Sequence, residues 1–452
     1  MLGVTEKLCK YLVEMQYDDL PSEVIREAKR SLVNIFAVGI GAANHKSMDI
    51  VLDLAAEIGA QRQFTVWGRK EKTDILFASL LNGMSSHIFD FDDTHLDIPT
   101  IPGSILHASA PIAPVVFALG EQKKMNGRDL ILSFILGIEV ECRVLAGISP
   151  GHMENGWHPT STSGPLGAAA AAGKLFNMDV NHLAQSIGLA ATQSGGIAEM
   201  LGTMSKPFHP GRAAMSGLMA AMLVRKGFTS SKQVLEAPRG FANVFSTKQD
   251  FDQMIQGFGE KYWILDNTYK PYACGVVAHP SIEGAIRLRN KCNLKAEQIQ
   301  SIHCSVNEHV PVAMGKKNIK TGLEGKFSTY HCVAVALIDG TAGVAQYSDA
   351  RVNDDEVKAL REKVTLTVIP VIRKDEAIVE VKLKDGRVLK EHVDHAIGSS
   401  VENPMSDEDL SQKFREVASI TLPHPKIERL LELIWEFDKL PNLDEVLANI
   451  TP

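Results

Sequence analysis

The chain has 452 residues, 45% of them hydrophobic and 22% charged, with a formal net charge of −7. That length fits two or three domains, and the acidic balance excludes a nucleic-acid footprint while leaving room for a small anionic substrate, since local charge decides a pocket. The six cysteines, Cys9, Cys142, Cys274, Cys292, Cys304 and Cys332, form no C-x2-C pair, so zinc-ribbon, thioredoxin-like and clustered iron–sulfur sites are not expected.

The start, "MLGVTEKLCKYLVEM", has helical apolar spacing and no signal-peptide pattern. No apolar run approaches the ~20 residues of a membrane span. The expectation is a soluble, cytoplasmic protein. "LPSEVIREAKRSLVNIFAVGIGAA" predicts a helix with Val24, Ala28, Leu32, Ile35 and Phe36 on one face. "GPLGAAAAAGKLFNM" (164–178) and "GRAAMSGLMAAMLVRKGF" (211–228) predict helices whose small residues let axes cross closely. From about 268 the texture changes. "IQSIHCSVNEH" and "KVTLTVIP" read as strands, and "AIVEVKLKDGRVLKEHV" as a hairpin turning at Asp385-Gly386. "FSTYHCVAVALIDG" is an apolar helix between them, and "PMSDEDLSQKFREVASI" returns to helix. The predicted architecture is mainly α: a large all-helical domain (1–266 and 398–452) with a smaller inserted α+β lid domain (267–397).

Five Gly- and Pro-bounded stretches carry reactive side chains. "DFDDTHLDIP" places Asp90, Asp92 and Asp93 beside Thr94 and His95, with His107 following in "GSILHASAPIAP". "GWHPTSTSG" centres on His158, and "GTMSKPFHPGRAA" supplies Lys206, His209 and Arg212. "YKPYACGVVAHP" supplies Lys270, Tyr272, Cys274 and His279, and "GKFSTYHCVA" supplies Lys326, Ser328, Tyr330 and His331. Singly, each has a bland explanation: a hydrogen-bonded histidine, a solvated lysine, a proline that ends a helix. Together they put lysines and histidines on short loops of an acidic chain, a pattern that can present several cations to one small anion.

Taken in order, "FDFDDTH…HASAPIAP", "GWHPTSTSGPLGAAAAAGKLF", "GTMSKPFHPGRAA", "KPYACGVVAHPSIEGA" and "NPMSDEDLSQKF" resemble the MmgE/PrpD family, which includes 2-methylcitrate dehydratases, cis-aconitate decarboxylases and iminodisuccinate epimerases. The resemblance spans nearly the whole chain. It implies a helical domain with an α+β lid, a homodimer and no metal or other cofactor. It also implies a pocket of Asp90, Thr94, His107, His158, Lys206 and Lys270. There are two departures from the decarboxylases: a longer stretch between Thr94 and His107, and His331 beside Tyr330 where those enzymes carry a tyrosine.

The three family activities share one problem, a carbanion forming next to a carboxylate, which cationic donors stabilise. Asp90, His107, His158, Lys206 and Lys270 are the expected catalytic groups, and Thr94, His209, Arg212, Tyr330 and His331 the expected substrate contacts. Asp90 is expected to point at His107 or His158, with Asp92 and Asp93 facing away. The expected activity is a cofactor-independent lyase on a small di- or tricarboxylate, 2-methylcitrate dehydratase-like. Alternatives are an itaconate-forming cis-aconitate decarboxylase, an epimerase and a non-catalytic polycarboxylate-binding protein.

Overall fold

A computed structural model describes residues 3–96, 105–399 and 401–452. Part of the Thr94–His107 stretch lies outside the described residues. The architecture is mainly α. The helix Ser22–Gly41 buries the predicted face, Val24, Ala28, Leu32, Ile35 and Phe36 included. The helix Ile75–Ile88 is started by Asp74, whose carboxylate accepts the Leu76 and Phe77 backbone N–H groups at 2.8 and 3.0 Å.

Two close crossings set the core. A Cβ on Gly83 would lie 2.7 Å from Gly211 Cα, so the helices Ile75–Ile88 and Ser205–Arg225 touch backbone to backbone. A Cβ on Gly167 would lie 2.6 Å from the Gly137 carbonyl, locking Gly164–Leu175 onto Gly127–Ala146 in the same way. The first crossing brings the end of one helix, with Asp90 just beyond it, beside the start of the other, which carries Lys206.

"GTMSKPFHPGRAA" is not a loop, as its prolines suggested: the helix runs from Ser205 to Arg225. Pro207 falls in the first turn, where backbone N–H groups have no intrahelical partner, and Pro210 deprives only the Lys206 carbonyl of a donor. Pro159 likewise opens a helix, Pro159–Thr162, with His158 as its N-cap residue.

The four-stranded sheet has the spatial order Val364–Val368, Ile299–Val306, Ala377–Leu383, Val388–Val393. The first pair is parallel and the other two antiparallel. The hairpin turns at Gly386, whose φ of 93° suits glycine. The helix His279–Cys292 covers this sheet and packs on Thr329–Asp339. The C-terminal helices Asp407–Ala418 and His424–Trp435 return to pack on Ser22–Gly41. Among the described residues no helix is long and apolar enough to cross a membrane.

Candidate active site

The helix Ile75–Ile88 ends because the chain turns left-handed at Asp90, whose φ is 51°. Asp tolerates this conformation better than most side chains but not freely, and such residues cluster at functional sites. The turn separates three neighbouring carboxylates into three environments.

Asp90 meets lysines, not a histidine. One oxygen accepts from Lys270 Nζ, and the other lies 3.1 Å from Lys206 Nζ. Lys270 Nζ also donates to the Asp90 carbonyl at 3.1 Å. Burial would push the Asp90 carboxyl up, but the two ammoniums outweigh it and hold its pKa well below the usual carboxylate range. Burial lowers Lys206, against the raising effect of Asp90.

Asp92 takes the part expected of Asp90. Its Oδ2 accepts His87 Nδ1–H at 2.8 Å and lies 3.5 Å from His107 Nδ1. Asp93 turns the other way, accepting Ser109 Oγ–H at 2.7 Å and the Asn267 amide at 2.8 Å. Burial pushes both carboxyls up.

His107 can be assigned a tautomer. Its Nδ1 lies 3.0 Å from the Asp93 carbonyl, which can only accept, so Nδ1 carries the proton and Nε2 the lone pair. His158 Nδ1 lies 3.0 Å from His209 Nδ1, so one ring donates to the other. Burial holds His107 and His158 well below the ordinary histidine pKa, helped at His158 by Lys206. Both rings are neutral at pH 7.

Asp90, His107, His158, Lys206 and Lys270 all line one pocket of ≈ 100 Å³, room for a small organic acid. The remaining expected residues lie elsewhere. Thr94 is fully buried behind His107, its Oγ1 3.3 Å from His107 Nδ1, and its backbone pairs with Thr268. His209 backs His158. Arg212 is half-buried one turn further along its helix and is not on the wall. Tyr330 lies under Lys317 Nζ, 5.2 Å from the ring centroid, and His331 donates to or accepts no wall group: its Nε2 bonds the Gln346 carbonyl at 2.9 Å. Neither Tyr330 nor His331 is on the pocket wall, and His331 packs edge-on against Tyr347 instead.

Two residues of the site, His87 and Lys413, were not singled out from the sequence. His87 lies edge-on to His107, ring centroids 4.5 Å apart. Lys413 is buried and donates to Asn34 Oδ1, the Phe91 carbonyl and the Lys270 carbonyl at 2.7, 2.7 and 2.8 Å. Lys326, singled out only as one member of a stretch, bonds the Phe89 and Ala273 carbonyls at 2.7 and 3.0 Å. Lys413 and Lys326 thus tie the loop carrying Asp90 to the loop carrying Lys270.

His87, His107 and His158 each offer a ring nitrogen, all within 4.8 Å of one another. That donor set suits a divalent ion such as zinc, but the ammonium of Lys206, close enough to depress His87 and His158, opposes a second cation there.

Comparison with known proteins gives the chain its family. The family model for the MmgE/PrpD N-terminal domain matches residues 6–254, and that for the MmgE/PrpD C-terminal domain matches residues 272–439. The chain belongs to the MmgE/PrpD family. It is 26% identical to the cis-aconitate decarboxylase of Homo sapiens over 97% of this chain and 92% of that protein. It is also 26% identical to the cis-aconitate decarboxylase of Aspergillus terreus, over 98% and 95% respectively. The mitochondrial 2-methylcitrate dehydratase of Yarrowia lipolytica is 26% identical over 51% of this chain and 47% of its own length.

Proposed function

We propose that the protein is a lyase that eliminates water from a small polycarboxylate through a carbanion next to a carboxylate. The observation that carries this reading is one pocket that holds a neutral histidine, His107, whose Nε2 has no hydrogen-bond partner among the described residues, together with two lysines clamped by Asp90. His107 Nε2 takes the proton from the carbon beside the carboxylate. The electron pair forms the carbon–carbon double bond, and the hydroxyl leaves with a proton from Lys206, whose burial makes it a stronger acid than a free lysine. Lys270 stays as a fixed positive charge against the developing enediolate. The Asp93 carbonyl, with Thr94 and Asp92 beside the same nitrogen, holds His107 in its tautomer, and His209 bonds His158 Nδ1.

A second reading is decarboxylation, favoured by the full-length match to proteins named cis-aconitate decarboxylase. There the carbon–carbon bond pair remains as the carbanion, CO2 leaves, and one donor, Lys206 or His158, returns a proton. Both readings need water kept out. Wall residues come from both sides of the chain's change of texture, with Val276, Met314 and Phe327 from the 267–397 segment, which supports a lid role for that segment.

The test is incubation with 2-methylcitrate, citrate, cis-aconitate and smaller hydroxy acids, with products resolved by mass spectrometry. Loss of 18 mass units supports dehydration and loss of 44 the second reading. An unchanged panel would overturn both.

A further inference from the structure

Resting on that lyase reading, we infer that His209 is a proton relay, joining the pocket to solvent through His158. Each dehydration leaves a proton on His107 and takes one from Lys206, so neither group is ready for a second turnover until both protons have moved. The parts of a path are in place. His209 stands one helical turn after Lys206 on Ser205–Arg225, and its Nδ1 lies 3.0 Å from His158 Nδ1. Both rings are 8% exposed, but only His158 is on the pocket wall, so the open edge of His209 meets solvent on another side. There the chain passes close over the ring at half-buried Gly196, where a Cβ would lie 3.3 Å from His209 Cε1.

At the inner end, ring nitrogens of His87, His107 and His158 lie within 4.8 Å of one another, and the buried His87 Nε2 has no partner among the described residues. One water oxygen, with hydrogen bonds of about 2.8 Å at a tetrahedral angle, spans about 4.6 Å. A water that follows the product out of the pocket therefore links His107 to His158. Burial, then Lys206, pushes His209 down to about 4 and holds His158 low, so each ring carries one proton and one lone pair. With the shared proton on His209 Nδ1, an inward proton binds His209 Nε2, the Nδ1 proton passes to His158 Nδ1, and the His158 Nε2 proton is delivered to the pocket. The outward proton from His107 reverses every step: it binds His158 Nε2, the shared proton returns to His209 Nδ1, and the His209 Nε2 proton goes to water. One dehydration thus restores both tautomers.

The experiment measures kcat and KM of His209→Ala on the acid that the unaltered enzyme turns over best, in dilute buffer and again with imidazole added. In dilute buffer kcat is expected to fall about tenfold or more, with KM unchanged because His209 is off the wall. Imidazole, which fills the space left and carries the proton, is expected to restore most of that loss and to leave the unaltered enzyme unaffected. His209→Gln keeps a donor toward His158 but passes no proton on, and is expected to lose kcat to the same extent. An unchanged kcat in either variant, a loss carried by KM, or a loss that imidazole does not restore in folded His209→Ala would overturn the relay and leave the lyase reading standing. If His209→Ala does not fold, His209→Gln decides alone. Turnover of no acid by the unaltered enzyme would overturn the lyase reading, and the relay with it.

Discussion

Replacing Asp90 by Asn keeps the side chain's size and removes the charge that two buried ammoniums share. At an effective dielectric near 20, unit charges about 3 Å apart attract by roughly 5 kcal/mol, and Lys206 Nζ lies 3.1 Å from Asp90. The variant escapes part of that loss when Lys206 sheds its proton, so the net destabilisation expected is about 3 kcal/mol, the low end for breaking a buried pair. Because the Asp90 pKa is depressed on folding, its contribution is fully present above the unfolded carboxylate pKa and fades only as pH falls below that value. Asp90 itself stays ionised between pH 6 and 8, but a variant that sheds the Lys206 proton on folding gains stability as pH rises, so the melting difference between the two proteins is expected to narrow from pH 6 to pH 8. Asp90 raises the Lys206 pKa, so its removal lowers that pKa further and shrinks the protonated share of the acid. Turnover per folded molecule is expected to fall about a hundredfold or more, and the alkaline limb of kcat/KM to move to lower pH. The assay is a pH–rate profile on protein whose folded fraction is known from its near-ultraviolet circular dichroism. A variant with kcat/KM within threefold and an unmoved alkaline limb would refute the reasoning and reduce Asp90 to a local ion pair.

The acid limb tests His107. A base must be unprotonated, and burial depresses this group, so kcat/KM is expected to stay flat as pH falls through 6.5 and to decline only below it; a limb centred at or above 6.5 would contradict the assignment. Exhaustive chelation with EDTA is expected to leave activity intact. Loss of turnover restored by added zinc or iron would instead put a metal on His87, His107 and His158. Lys413→Met retains the apolar stem but strands the Phe91 and Lys270 carbonyls, so a stability loss of about 3 kcal/mol is expected, measured by denaturant titration. A melt unchanged to within 0.5 kcal/mol would show that water replaces the ammonium.

The elements were legible where periodicity was strong: the helix at Ser22–Gly41, the hairpin at Asp385-Gly386 and the small-residue helices all lie where their patterns put them. The start of Ser205–Arg225 was hidden by two prolines that the first turns accommodate. Lys413 left a weak trace. Leu410, Phe414 and Val417 recur at helical spacing on a buried face, and Lys413 falls among them. A lysine there reads as solvated unless the oxygens opposite it are known, and they come from residues 34, 91 and 270. His87 sits in a helix buried on nearly every side, where a polar group must find a partner. Its partner, Asp92, follows a left-handed turn, so helical spacing gives no hint of the pair.

That turn also explains why an acidic loop can border a pocket for an anion. Had Asp90, Asp92 and Asp93 shared one surface, each would have repelled the substrate, with little water to screen it. The left-handed residue at 90 sends the chain away from the helix axis, and each carboxylate then meets a different donor set. Asp90 faces the pocket but is offset by two lysines, which also places those lysines at bonding distance from whatever enters. Asp92, off the pocket wall, accepts a hydrogen bond from His87 and sits beside His107. Asp93 is bound to Ser109 and Asn267, and its backbone carbonyl rather than its carboxylate fixes the His107 tautomer. The negative charge nearest the substrate is thus the best compensated, and the other two act only through histidines and backbone. A lysine pair alone would hold an anion but would repel itself. Asp90 between them offsets that repulsion, with one oxygen toward each lysine.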